Sequence, residues 1–239
     1  MGNASRTLVE MTLALTGCVA LMGAAASTDG RGSRPPAEAA AASVASPRLS
    51  PGLMDRASEI ALALSACPPP VASAAAVYVL ERSGYVRVRD GQNGFTAIVQ
   101  HSLPTSQEPQ CMDAEGTRTL LPRMLKVAEL RAQGKSADEI RAFVARAFVT
   151  GVFRPPARPG VDYMLSTHNL IPNSQGVVTP FPPHVMFYAP YLTNAELGLD
   201  GSLDADGNPR GRAFVAGEGT PQALIIVPLG AREAHLALL

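Results

Sequence analysis

Residues 77–100 read VYVLERSGYVRVRDGQNGFTAIVQ, and this stretch decides the fold class. Three short runs rich in β-branched and aromatic residues are separated by Ser83-Gly84 and by a turn-rich segment over 90–94. This pattern predicts strands over 77–80, 85–89 and 95–100. Since the connections are short, we expect an antiparallel meander. The alternation of apolar and basic residues in the second run predicts a sheet with one face on the core and the other in water.

Helical periodicity flanks these strands on both sides. Upstream, Ser50-Pro51 is typical of a helix start and Cys67 followed by three prolines is typical of a helix end. The apolar residues between them share one helical face: Leu53, Ala57, Ile60, Ala61 and Leu64. Downstream, residues 117–149 predict two amphipathic helices that form a hairpin against the sheet. Gly134 ends the first helix, and Ser136 with Glu139 forms a capping box for the second.

The last third of the chain returns to strand patterns. Strands are predicted over 161–165, 184–189 and 224–227, and matching prolines bracket the last two. We expect these two strands to be neighbours in one sheet. The fold class is therefore α+β: an antiparallel sheet, made of the meander and the C-terminal strands, packed with an N-terminal helix and a central helical hairpin.

Composition indicates one globular domain over 50–239 and narrows the range of partners. Hydrophobic residues make up 46% of the 239 positions, which is enough for a packed core. Lys and Arg total 20 and Asp and Glu total 20, so the formal net charge is zero. Because a neutral chain with scattered basic residues has no general attraction to polyanions, we do not expect nucleic acid as a partner.

Residues 1–26 have the pattern of a secretory signal segment. Arg6 supplies positive charge, an apolar run extends from Met11 to Met22, and Ala24-Ala25-Ala26 offers a cleavage site before Ser27. The run is shorter than the roughly 20 residues that span a bilayer. Residues 27–49, rich in Ala, Ser and Pro, predict a disordered linker.

A second interpretation of the same segment leads to the same compartment. Leu15-Thr16-Gly17-Cys18 resembles the lipobox of bacterial lipoproteins, in which the cysteine is lipidated and becomes the new amino terminus. The residues after Cys18 stay apolar, which favours cleavage after Ala26 instead. Both alternatives predict export to the periplasm or the extracellular space, the second with a lipid anchor at Cys18.

Two cysteines, Cys67 and Cys111, remain after the signal segment. An even pair in an oxidising compartment predicts a disulfide, and the alternative is two unpaired thiols. The bridge would close a loop of 43 intervening residues and stabilise the domain by about 4 kcal/mol in the chain-entropy model.

Four short motifs together resemble a family of uncharacterised exported bacterial proteins. The motifs lie between about positions 75 and 230: Gln110-Cys111-Met112-Asp113, Tyr163-Met164-Leu165-Ser166, Pro182-Pro183-His184-Val185-Met186 and Gly217-Glu218-Gly219-Thr220-Pro221. The resemblance implies export and carries no activity, cofactor or site.

The sharpest catalytic hypothesis is a Cys/His hydrolase. Cys111 would act as the nucleophile and His184 as its base, with Asp113 or Glu218 as the carboxylate that orients the imidazole. The structural alternative places His184 at the start of a buried strand and Cys111 in a disulfide.

No recognisable cofactor or metal motif supports another chemistry. The histidines lack zinc-site spacing, and neither a Walker pattern nor a dinucleotide fingerprint is present in the sequence. The preferred prediction is therefore an exported envelope domain that acts without a cofactor or metal and binds a small molecule or another envelope protein. The Cys/His hydrolase is the alternative.

Overall fold

The computed structural model of the chain describes residues 52–173, 175–199 and 213–230. The predicted signal segment with Cys18, the predicted linker and the predicted helix start at Ser50-Pro51 lie outside these ranges. All described residues belong to one compact unit. No helix within the described ranges is long and apolar enough to cross a membrane.

Five α-helices, one short 3-10 helix (Ala195–Leu197) and ten strands follow one another in the described residues. The helices are α1 (Arg56–Leu64), α2 (Pro69–Ala72), α3 (Ala114–Thr119), α4 (Leu121–Ala132) and α5 (Ala137–Val149). The strands are β1 (Ala76–Glu81), β2 (Gly84–Arg89), β3 (Thr96–Gln100), β4 (Glu108–Met112), β5 (Val161–Met164), β6 (Asn169–Pro172), β7 (Val178–Phe181), β8 (His184–Tyr188), β9 (Phe214–Ala216) and β10 (Leu224–Pro228). This is an α+β domain, as predicted.

Eight of the strands form one sheet in the order β2-β1-β3-β4-β5-β8-β10-β9, and β6 pairs with β7 in a small second sheet. β8 and β10 are antiparallel neighbours, which confirms the prediction drawn from their matching prolines. The meander prediction is wrong in one respect. β3 pairs with β1 in parallel and does not pair with β2, because the segment over 90–94 crosses the end of the hairpin.

Both faces of the large sheet are covered where the first strands lie. Ala97 and Val99 of β3 pack with Ala63 and Ala66 against α1, whereas Ile98 packs on the other face against Leu121 and Met124 of α4. Successive strand residues point to opposite faces, so β3 is buried on both sides. The prediction that one face of the sheet is exposed to solvent is therefore wrong at β3.

The helices begin and end at side chains that suit those positions. α1 begins later than predicted, at the N-cap Asp55, whose carboxylate accepts from the Ser58 amide. Leu53 consequently lies outside the helix and is half exposed. The predicted capping box is present at α5, where Ser136 accepts from the Glu139 amide and Glu139 accepts in return. Gly134, with φ of 77°, ends α4 as predicted.

A disulfide joins Cys67, after α1, to Cys111 on β4. The two Cα atoms are 5.2 Å apart, and both residues belong to the core cluster on the α1 face of the sheet. The sequence allowed either a disulfide or two free thiols, and the structure has the disulfide.

Candidate functional site: a cavity beside helix α4

A cavity of about 230 Å³ lies between helix α4 and the ends of strands β1, β2 and β3. It is smaller than the roughly 300–1,000 Å³ of pockets that hold drug-sized ligands, so its size suits a smaller molecule. Five apolar residues and three arginines account for much of its lining: Leu53, Leu80, Met124, Val127, Ala128, Arg82, Arg123 and Arg131. Polar side chains from the end of β3 complete it.

Helix α4 supplies most of the apolar wall and two of the charges. Arg123, Val127 and Arg131 are spaced four residues apart, so they form a single stripe along the helix. Met124 and Ala128 form a parallel apolar stripe beside it and connect the cavity to the core. The helix therefore presents an apolar surface with a guanidinium at each end of it.

Arg131 is held in place by the backbone at the end of β3. Its Nη1 donates to the carbonyl oxygen of His101, and its Nη2 donates to that of Ser102 over 2.9 Å. Carbonyl oxygens neutralise no charge, so the guanidinium keeps its full positive charge while its orientation is fixed.

Arg123 is half-buried and makes no hydrogen bond or ion pair with any residue in the described ranges. Burial lowers the pKa of its guanidinium, and the neighbouring Arg131 adds to the effect while Glu108 opposes it. Arginine has five N–H donors, and leaving them unfilled in a half-buried position is costly. Arg123 is therefore the α4 arginine of the cavity whose N–H donors no described residue fills.

Glu108 is an acid whose charge acts on both of these arginines, but its oxygens already accept hydrogen bonds from other groups. They accept four hydrogen bonds over 2.6–3.0 Å, from Gln100, the Ser102 amide and hydroxyl, and Ser106. Burial raises the pKa of Glu108 despite these bonds. The carboxylate thus orders the end of β3 and does not form an ion pair with Arg123 or Arg131 among the described residues.

His101 lines the cavity and is 4% exposed. Its Nδ1 lies 2.6 Å from the carbonyl oxygen of Ser106, and since a carbonyl only accepts, Nδ1 carries the proton. Its Nε2 is buried and has no hydrogen-bond partner within the described chain. Burial, followed by the charge of Arg131, lowers the pKa of His101, so the ring is neutral near pH 7.

The residues of the predicted Cys/His hydrolase are not brought together. The Sγ atom of Cys111 is bonded to Cys67, so no free thiol exists at this position in the structure. Cys111 pairs with Tyr163 on β5, whereas His184 pairs with Met164, the next residue along that strand. Adjacent strand residues point to opposite faces, so Cys111 and His184 lie on opposite sides of the sheet.

The remaining members of that hypothesis have structural partners. His184 is fully buried, its Nδ1 lies 2.9 Å from the Pro182 carbonyl, and burial lowers its pKa to about 4. Asp113 caps α3 and accepts from the Gly116 amide and the Tyr188 hydroxyl. Glu218 accepts from the backbone and side chain of Asn194. The structural alternative for His184, a buried position at the start of a strand, matches what is observed.

A second buried polar region lies around strands β5 and β8. Among the described residues, Asp162, Asn169 and His184 each have one buried side-chain atom without a hydrogen-bond partner. Asn169 and His184 share the Pro182 carbonyl, and burial raises the pKa of Asp162 to about 8. None of these three side chains lines the α4 cavity or the cavity beside the disulfide, so we assign them to the interior of the described domain.

A second cavity, beside the disulfide, is more open and lacks charged side chains in its lining. Its described walls are formed mainly by Leu64, Pro69, Ala72 and Leu165, with His168 at one side. In the ranges that the structure describes, no three His, Cys, Asp or Glu side chains are grouped so that they could hold a metal ion. The α4 cavity is thus the better candidate, because it alone of the two combines charge with an apolar wall.

Comparison with known protein families, curated proteins and solved structures finds no match to this chain. The α4 cavity itself is therefore the basis on which a function can be inferred.

The amphipathic pattern over residues 117–149 predicted a helix that packs against the sheet but did not indicate the cavity beside it. Arg123 and Arg131 lie eight positions apart with Val127 midway, so they share one stripe of the helix beside its apolar face. This pattern was the signal from which a charged and apolar site on α4 could have been predicted. His101 carried no signal, because its role depends on where the chain turns after β3.

Proposed function

We propose that this protein is a non-catalytic binding domain that holds a small molecule in the α4 cavity. The observation that carries the proposal is the half-buried Arg123, which has no partner among the described residues and lies in the wall of a cavity with an apolar surface. Binding pockets combine an apolar lining with a few convergent polar groups, and this cavity has that composition.

The proposal places the domain outside the cytoplasm, as the signal-like segment predicts. The buried Cys67–Cys111 disulfide supports an oxidising compartment, since such bridges persist in exported proteins. Release after Ala26 and a lipid anchor at Cys18 both agree with a soluble binding domain in the envelope. The Cys/His hydrolase has less support, since it requires a free Cys111 thiol on the same face as His184.

The test is a titration of the purified domain with small probes, followed by the backbone amide NMR signals. Hexan-1-ol and hexanoate have the same apolar body and differ in charge. We expect at least one of them to shift the signals of cavity residues such as Leu80, Val127 and Ala128 in a saturable manner.

A filling substitution makes the test specific for the cavity. Val127→Phe places a ring in the wall and should abolish the shifts, whereas Val149→Phe, the same substitution at an exposed position on α5, should leave them unchanged. Ala132→Phe, at the exposed rim, replaces Val127→Phe if that variant does not fold. Saturable shifts that persist in a folded filling variant, or the absence of shifts with both probes, would refute the proposal.

A further inference from the structure

The charge around the α4 cavity is unbalanced towards positive. Three arginines and one glutamate line it. That glutamate, Glu81, is paired with Arg56 outside the cavity, with Nη2 and Oε1 3.0 Å apart. Glu108 does not line the cavity, and its oxygens accept hydrogen bonds from Gln100, Ser102 and Ser106 instead of pairing with either α4 arginine in the described ranges. The side chains of the described cavity therefore leave a net positive site in a neutral chain.

Of the two arginines on α4, Arg123 is the one that can take up an anionic group. Arg131 is anchored to two carbonyl oxygens, so it cannot turn away from the cavity without losing both bonds. Arg123 lies on the same helical stripe and carries unfilled donors. A guanidinium presents its N–H groups as a planar fork, which matches a carboxylate better than a point charge would.

The apolar wall of the cavity requires that the ligand also has an apolar part. Leu80, Met124, Val127 and Ala128 would contact the ligand and gain nothing from a fully hydrated ion such as free phosphate. The cavity volume of about 230 Å³ limits the apolar body to a few carbon atoms or a single ring.

We infer that the ligand is a small organic acid, with its carboxylate on Arg123 and its apolar body against α4. This inference rests on the proposed function and names the ligand class of the same cavity. Arg131 fixes the orientation of the site, and Arg123 supplies the charge-assisted hydrogen bonds that select an anion.

The experiment compares hexanoate, hexan-1-ol, hexylammonium and inorganic phosphate by NMR titration at neutral pH. We expect hexanoate to bind about tenfold more tightly than hexan-1-ol, which corresponds to one charge-assisted contact. Hexylammonium and phosphate should produce no saturable shift of cavity signals. Equal binding of hexanoate and phosphate would overturn the ligand class.

Two variants assign the selectivity to Arg123. Arg123→Gln should weaken hexanoate binding about tenfold and leave hexan-1-ol within twofold. Arg146→Gln removes an exposed arginine of α5 outside the cavity and should change neither affinity. If Arg123→Gln leaves the preference for hexanoate intact, the assignment of the carboxylate to Arg123 is wrong.

The outcomes separate this inference from the proposed function. If hexan-1-ol binds as tightly as hexanoate, and Val127→Phe blocks both, the cavity binds small molecules but does not select acids. In that case the inference fails and the proposed function stands. If no probe gives binding that is sensitive to Val127→Phe, both fail.

Discussion

Gly116 shows how a single position couples a helix to the sheet behind it. A Cβ atom added at this position would lie 2.2 Å from the Tyr188 hydroxyl and 2.8 Å from the Cβ of Met112. Tyr188 cannot easily move, because its hydroxyl lies within hydrogen-bond distance of Asp113 and of the Val161 carbonyl. The absence of a side chain at position 116 is therefore a packing requirement.

Gly116→Ala should destabilise the domain, although alanine is the better helix former. Helix propensity alone would stabilise α3 by about 1 kcal/mol, whereas the clash should cost about 1–3 kcal/mol beyond that gain. Urea denaturation measures the difference in unfolding free energy. Gly52→Ala, with no atom within 4 Å of its Cβ, is the matched control and should have little effect. A Gly116→Ala variant as stable as the wild type would contradict the packing argument.

At the scale of secondary-structure elements, the Cys67–Cys111 disulfide links two parts of the core covalently. It ties the segment after α1 to β4, and the two cysteines are 44 positions apart. Both residues are buried, with 2% and 0% of their surfaces exposed, so reductant reaches the bridge only after opening of the domain. The bridge therefore acts chiefly by restricting the unfolded chain.

A Cys67→Ala and Cys111→Ala double variant should fold and lose about 4 kcal/mol of unfolding free energy. The measurement is urea denaturation of both proteins with and without reductant. Reductant should lower the midpoint of the wild type and leave that of the double variant unchanged. Identical midpoints for wild type and double variant would mean that the bridge contributes nothing, and the argument from chain entropy would fail.

Buried titratable groups make the stability of the entire domain depend on pH. Burial raises the pKa of Glu59 to about 7 and that of Asp162 to about 8. The folded protein therefore holds protons that the unfolded chain releases near its ordinary carboxyl pKa values, and stability falls as pH rises. His184 acts in the opposite sense, because its pKa is lowered to about 4 from 6.5 and stability is lost as pH falls below 6.5.

Above pH 6.5 His184 contributes little further change, so the carboxyl groups decide the slope. The unfolding free energy should fall by about 2 kcal/mol between pH 6.5 and pH 8, most of it from Asp162. Asp162→Asn keeps the acceptor for the Cys111 amide and should flatten this dependence, as measured by urea denaturation at both pH values. Asp138→Asn, at an exposed position on α5, should leave it unchanged. An unaltered slope in Asp162→Asn would assign the effect to another group.

The sequence by itself determined the local features whose causes lie within a few residues. The capping box at Ser136, the helix end at Gly134 and the strand pairs bracketed by turns or prolines depend on short-range geometry, and all appear where predicted. The two cysteines that follow the predicted signal segment likewise indicated a bridge, although only the fold could bring their Cα atoms to 5.2 Å.

Tertiary structure alone decided how these elements combine. β1 pairs with β3 in parallel because the segment over 90–94 leads the chain to the other side of β1. The local sequence pattern of that segment does not determine the path it takes. Cys111 and His184 lie on opposite faces of the sheet because of the register in which their strands pair with β5. A slip of one residue in that register would move every side chain of a strand to the other face. The α4 cavity exists for the same reason: Arg123 belongs to a helix and His101 to a strand end, and only packing makes them walls of one space.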